Sequence, residues 1–84
     1  MKDDLTSCVI TTIQEALNET IEEESEKIVI CQSDSMETVG VWDSLNFMNV
    51  FIAINQKFNI EPDFDDAIHY ISVQALIDYL NARS

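Results

Sequence analysis

One glycine and one proline in 84 residues leave this chain few places to reverse direction. A small β protein turns often and needs such residues at each turn. A chain so poor in both is steered towards helices, which need special residues only at their ends. At 84 residues it has room for one core and one domain, 1–84.

Periodicity agrees. From about Asp3 to Asn18, Leu5, Val9, Ile13 and Leu17 recur every fourth residue, with Cys8 and Ala16 beside them, which predicts a first helix. Asp3 and Asp4 fall in its first turn, where negative charge suits the helix dipole. From about Glu19 to Trp42 the pattern fails. Glu22, Glu23, Glu24 and Glu26 read as a solvated acidic run. Ile28, Val29 and Ile30 have no partner strand in so helical a chain, so they read as a loop pinned to the core by its apolar residues. The stretch QSDSMETVG then supplies turn formers. A loop of this length in a small domain is a common seat of function.

A second helix is expected from about Ser44 to Phe58. Val50, Ile54 and Phe58 make one stripe, Phe47 and Phe51 flank it, and Leu45, Met48 and Ile52 make another. That is more apolar surface than one buried face requires. The helix is therefore central to the bundle, or part of it meets a partner. Asn59 to Asp63, with Pro62, reads as a connector, and Phe64 to Tyr70 as a short third helix. Ser72 is a good N-cap for the last helix, with Ile71 placed to staple onto Leu76, and Val73, Leu76, Ile77 and Leu80 line it.

Sixteen acidic residues against four basic ones give a net charge of −12. Such a surface repels nucleic acid and anionic lipid and favours proteins with basic patches. Two distant cysteines, Cys8 and Cys31, and the single His69 do not make a zinc site, so free, buried or half-buried thiols are expected. Asp63, Asp65 and Asp66 lack the glycine and closing glutamate of a calcium loop. No run is long and apolar enough for a membrane span. The opening MKDDL lacks the basic and apolar regions of a signal peptide, which leads to a cytoplasmic expectation.

The stretch GVWDSLNFM, residues 40–48, is the richest in chemistry. Asp43 and Ser44 are good helix-capping residues, and capping alone accounts for their presence. Yet Ser44 stands where the long loop meets the central helix, so its hydroxyl is expected to be exposed. A helix start with free N–H groups favours a phosphate ester there. Nucleophilic catalysis fits poorly, because His69 is the only candidate base and there is no G-x-S-x-G turn. The chain is not expected to be an enzyme.

Asp43-Ser44-Leu45 opening a helix, Phe58 closing it, and the closing segment Ser72-Val73-Gln74-Ala75-Leu76-Ile77-Asp78-Tyr79-Leu80 resemble the acyl carrier protein family. The likeness spans about the whole chain. It implies an all-α fold: a small four-helix bundle with three main helices, one short one and a long loop after the first. It further implies a 4'-phosphopantetheine arm, taken from coenzyme A and attached to Ser44 by a phosphopantetheinyl transferase. Acyl or aminoacyl groups would ride on that arm as thioesters between loading and transfer enzymes. Asp43 would match the acid that helps dock the transferase. Leu45 would match a residue that is part contact and part packing. Trp42 would shield the base of the arm or cap the core, and the core role is the expectation.

One departure from the family shapes the expected partners. Carriers of fatty-acid synthesis place several acids along the second helix, whereas here Asn46, Asn49, Asn55, Gln56 and Lys57 stand at the polar positions. Partner contact is then expected to rest on Phe47, Met48 and Ile52 rather than on salt-sensitive attraction. The WDSLN stretch looks more like free-standing carriers of specialised pathways, so a monomeric carrier of that kind is expected. An acidic, non-enzymatic interaction module is the competing reading. It requires a clustered acidic face, which the nearly neutral second helix does not offer.

Overall fold

The computed structural model describes the backbone of residues 2–83 and the side chains of residues 5–82. The expected role of the Asp3 and Asp4 carboxylates therefore lies outside the described residues. Three α-helices, α1 (Lys2–Asn18), α2 (Ser44–Lys57) and α3 (Val73–Arg83), are joined by a 3-10 helix at Phe64–Tyr70. This is the four-helix, carrier-type bundle that the sequence implies. A further 3-10 turn at Glu24–Glu26 sits within the acidic run, where only a loop was expected. Among the described residues there is no strand, only an isolated antiparallel bridge between Ser35 and Ser72.

Local chemistry sets the helix boundaries. Asp43 stands in extended conformation and caps α2 with its carboxylate. At the other end Ile60 N–H donates to the Asn55 carbonyl at 2.8 Å, and Asn59 N–H donates to the Gln56 carbonyl at 3.4 Å. Asn59 takes a positive φ of 55°, which completes a Schellman stop with Asn in the place glycine commonly fills. Ser72 Oγ accepts the N–H of Ala75 at 3.0 Å and starts α3 as expected. Ile71, assigned the staple, keeps an exposed side chain.

The core gathers Val9, Ile13 and Leu17 of α1, Val50, Phe51 and Ile54 of α2, Tyr70 of the 3-10 helix, and Val73, Leu76, Ile77 and Leu80 of α3. Ile30 and Trp42 join it from the long loop. Burial of a large apolar side chain contributes about 1.5–3 kcal/mol, so these two residues tie the loop down at its middle and at its end. Of the three apolar residues expected to pin it, Ile28 is half-buried and Ile30 buried, but Val29 is 77% exposed. Extended backbone alternates its side chains, so the middle residue must face away from its neighbours.

Polar side chains complete the attachment. Gln14 Oε1 accepts the Ile30 N–H at 2.9 Å. The loop is also tied to the start of α3, through Met36 N–H to the Ile71 carbonyl at 2.9 Å and Val73 N–H to the Asp34 carbonyl at 3.0 Å. Cys31 is exposed, contrary to the buried or half-buried state expected, while Cys8 is half-buried. The Cys31 N–H donates to Asp34 Oδ2 at 2.8 Å in a surface turn, which leaves the thiol outside the core.

Candidate carrier site at the start of α2

Residues 42–45 pass from core to solvent in one step. Trp42 is 1% exposed and belongs to the core, which settles its role as a core cap. Its Nε1–H is buried with no acceptor among the described residues. Asp43, Ser44 and Leu45 are exposed. Leu45, expected to be part contact and part packing, is 82% exposed. Its position on α2 points about 100° away from that of Ser44, on the side no other element covers.

Ser44 is the first residue of α2. Two sets of bonds hold it in place. Asp43 Oδ1 accepts the N–H groups of Leu45 and Asn46, both at 3.1 Å. Asn46 Nδ2 reaches back to the Val41 carbonyl at 2.6 Å, and Asn46 Oδ1 accepts from Asn49 Nδ2 at 3.0 Å. The turn before the serine is thus closed from within by an aspartate and from the helix by an asparagine. This differs from the expected helix start with free N–H groups. The capping carboxylate already occupies two of them.

On the flank of α2, Leu45, Met48 and Ile52 are exposed, while Phe47 is half-buried and stacks on Phe51 with centroids 6.1 Å apart. The structure therefore brings Met48 and Ile52 to the surface together and sets Phe47 at the margin of the core. A shallow groove lies between α1 and α2, lined by Cys8, Thr12, Glu15, Ala53, Gln56 and Lys57. It begins more than two helical turns from Ser44.

His69 is half-buried and stacks on Tyr79 at 4.7 Å. No hydrogen bond joins it to Ser44 among the described residues, so the geometry assembles no Ser–His pair. Among the described residues there is also no cluster of three or more groups able to hold a metal ion. No helix among the described residues is long and apolar enough to cross a membrane.

Sequence reasoning missed two polar features: the Asn46–Val41 clasp and the pairing of Tyr70 Oη with Asn55 Oδ1 inside the core. The first carried no signal, because Asn is common on helix surfaces. The second carried one. Asn55 lies four residues after Phe51, on a face otherwise apolar, and a polar residue there needs a partner.

The chain is thus a small helical bundle with Ser44 exposed at the start of its central helix. The family model described as "phosphopantetheine attachment site" matches residues 9–80. The chain belongs to this family, whose members bind 4'-phosphopantetheine covalently. It is a phosphopantetheine-carrying protein of the acyl carrier type. Neither a curated protein nor a solved structure matches it.

Proposed function

We propose that residues 1–84 act as a single carrier unit that holds its arm on Ser44. The observation that carries this reading is the exposed Ser44 at the first position of α2, with Asp43 capping the same turn and both inside the matched segment. The residues fit the group: the hydroxyl-bearing residue is open, its backbone is fixed, and no wall stands between it and solvent. When bound, the arm supplies a terminal thiol that carries acyl or aminoacyl groups as thioesters.

The chain's own residues then have distinct tasks. Ser44 Oγ forms the phosphodiester by displacing the nucleotide half of coenzyme A, with the base for its proton provided by the phosphopantetheinyl transferase. Asp43 holds the turn and presents a carboxylate to that enzyme. Leu45, Met48 and Ile52, with the open edge of Phe47, meet loading and transfer enzymes. The protein catalyses nothing itself and works as a monomer in the cytoplasm, without binding nucleic acid.

The chemistry of α2 supports a specialised biosynthetic pathway over housekeeping fatty-acid synthesis. Lys57 is the only charged residue between Ser44 and Asn59, so docking there rests on apolar contact. The alternative, an acidic interaction module, would need no modified serine. Incubation with coenzyme A and a broad-specificity phosphopantetheinyl transferase, followed by intact mass measurement, separates the two. A gain of one phosphopantetheine, lost in Ser44→Ala, is expected. An unchanged mass with a competent transferase would favour the interaction module.

A further inference from the structure

Asn46 is the third residue of α2 and is half-buried. A polar side chain at that position commonly accepts the N–H of the cap residue and closes a capping box. Asn46 does otherwise. Its Nδ2 donates past the cap to the Val41 carbonyl at 2.6 Å, while its Oδ1 accepts from Asn49 Nδ2 at 3.0 Å. The second bond orients the first: with the oxygen held by Asn49, the nitrogen is the end left to face Val41. Only a donor serves there, because a carbonyl accepts and an ionised carboxylate has nothing to donate.

The helix start does not depend on this clasp, since Asp43 already serves the N–H groups of Leu45 and Asn46. What the clasp adds is closure of residues 41–46 into one turn around the serine. Trp42, inside that turn, is buried in the core, so the backbone just before Ser44 is pinned from two directions. At about 100° per residue, Asn46 lies about 160° round α2 from Ser44, and Asn49 about 140°. Both stand behind the serine, away from the side on which an enzyme reaches its hydroxyl.

We propose that Asn46 is a positioning residue for attachment of the arm, acting through the Val41 carbonyl without touching the transferase or coenzyme A. It rests on the reading of Ser44 as the arm's anchor. In that reaction a P–O bond forms at Ser44 Oγ as the bond from the same phosphorus to the departing nucleotide breaks, and the serine proton passes to the transferase. Such a displacement needs the attacking oxygen in line with the leaving one, and a small misplacement costs rate. The clasp holds the turn in the geometry that meets this demand. Its loss therefore lowers kcat and spares KM, the reverse of a docking contact such as the one assigned to the Asp43 carboxylate.

The test follows arm transfer from coenzyme A by intact mass, with a broad-specificity transferase and a range of carrier concentrations. Asn46→Ala, and Asn46→Asp with a side chain of similar size but no donor when ionised, are each expected to lower kcat about fivefold, the worth of one neutral hydrogen bond. In Asn46→Ala the KM for the carrier is expected to hold. Asn59→Ala, destabilised at the far end of α2, is expected to transfer at the wild-type rate, which separates positioning from loss of stability. In carbon-13 spectra the Val41 carbonyl is expected to shift in both Asn46 variants and to stay in place in Asn59→Ala. A wild-type kcat in both Asn46 variants overturns the proposal and spares the anchor. So does a raised KM at unchanged kcat in Asn46→Ala, which makes the residue a docking contact, or an equal fall in kcat in Asn59→Ala. A wild-type chain that accepts no arm overturns both readings.

Discussion

Asn18 grips Ile28 by both ends of its peptide. Its Nδ2 donates to the Ile28 carbonyl at 3.0 Å and its Oδ1 accepts the Ile28 N–H at 2.9 Å. The last residue of α1 thereby replaces, for one residue of loop, the partner strand that the apolar run 28–30 lacks. This pair joins the buried Ile30 and Trp42 in anchoring the loop that delivers Ser44.

Asn18→Ala is therefore predicted to remove two hydrogen bonds and leave part-buried backbone groups unpaired. The expected loss is about 1–3 kcal/mol. Calorimetric melting checks the magnitude, and faster hydrogen exchange at Ile28 and Ile30 checks the mechanism. An unchanged exchange rate would mean that Gln14 and the buried Ile30 hold the loop unaided.

Asp43 has two separable duties, cap and charge. Asp43→Ala is predicted to cost about 1 kcal/mol through loss of the cap. Asp43→Asn keeps a good capping residue and is expected to melt within about 0.5 kcal/mol of wild type. If the carboxylate also docks the transferase, Asp43→Asn raises the KM for arm transfer while the melting temperature holds. A KM equal to that of wild type would confine Asp43 to the cap.

The surface of α2 invites a direct comparison. Met48→Ala and Ile52→Ala remove exposed atoms and are expected to change stability by no more than about 0.5 kcal/mol, while each slows cargo loading by a cognate enzyme. Phe47→Ala is expected to affect both, because its half-buried ring stacks on Phe51. Loading kinetics in rising salt should change little, roughly twofold, since the helix face offers no anionic stripe to screen. A steep salt dependence would instead place the docking on the acidic residues that flank α2.

At Asn59 the left-handed backbone sets the outcome. Asn59→Ala is predicted to cost about 1 kcal/mol and Asn59→Gly to be neutral or stabilising, because only the former adds strain at positive φ. Thermal melts of the two variants decide it. Equal melting temperatures would show that the turn relaxes around the substitution.

What the sequence determined by itself is the set of local choices: where α1, α2 and α3 lie, the caps Asp43 and Ser72, and the exposed serine at a helix start. Each depends on neighbours within about four residues, and periodicity and capping are written at that range. The tertiary structure alone decided the rest. Leu45, Met48 and Ile52 are as apolar as Val50 and Ile54, and only the placement of the other helices leaves the first three uncovered. The path of residues 19–43 depends on Gln14 and Asn18, which bond backbone 16 and 10 residues away. The Asn55–Tyr70 pair spans 15. Contacts of that separation are set by how the helices pack, which no local pattern encodes.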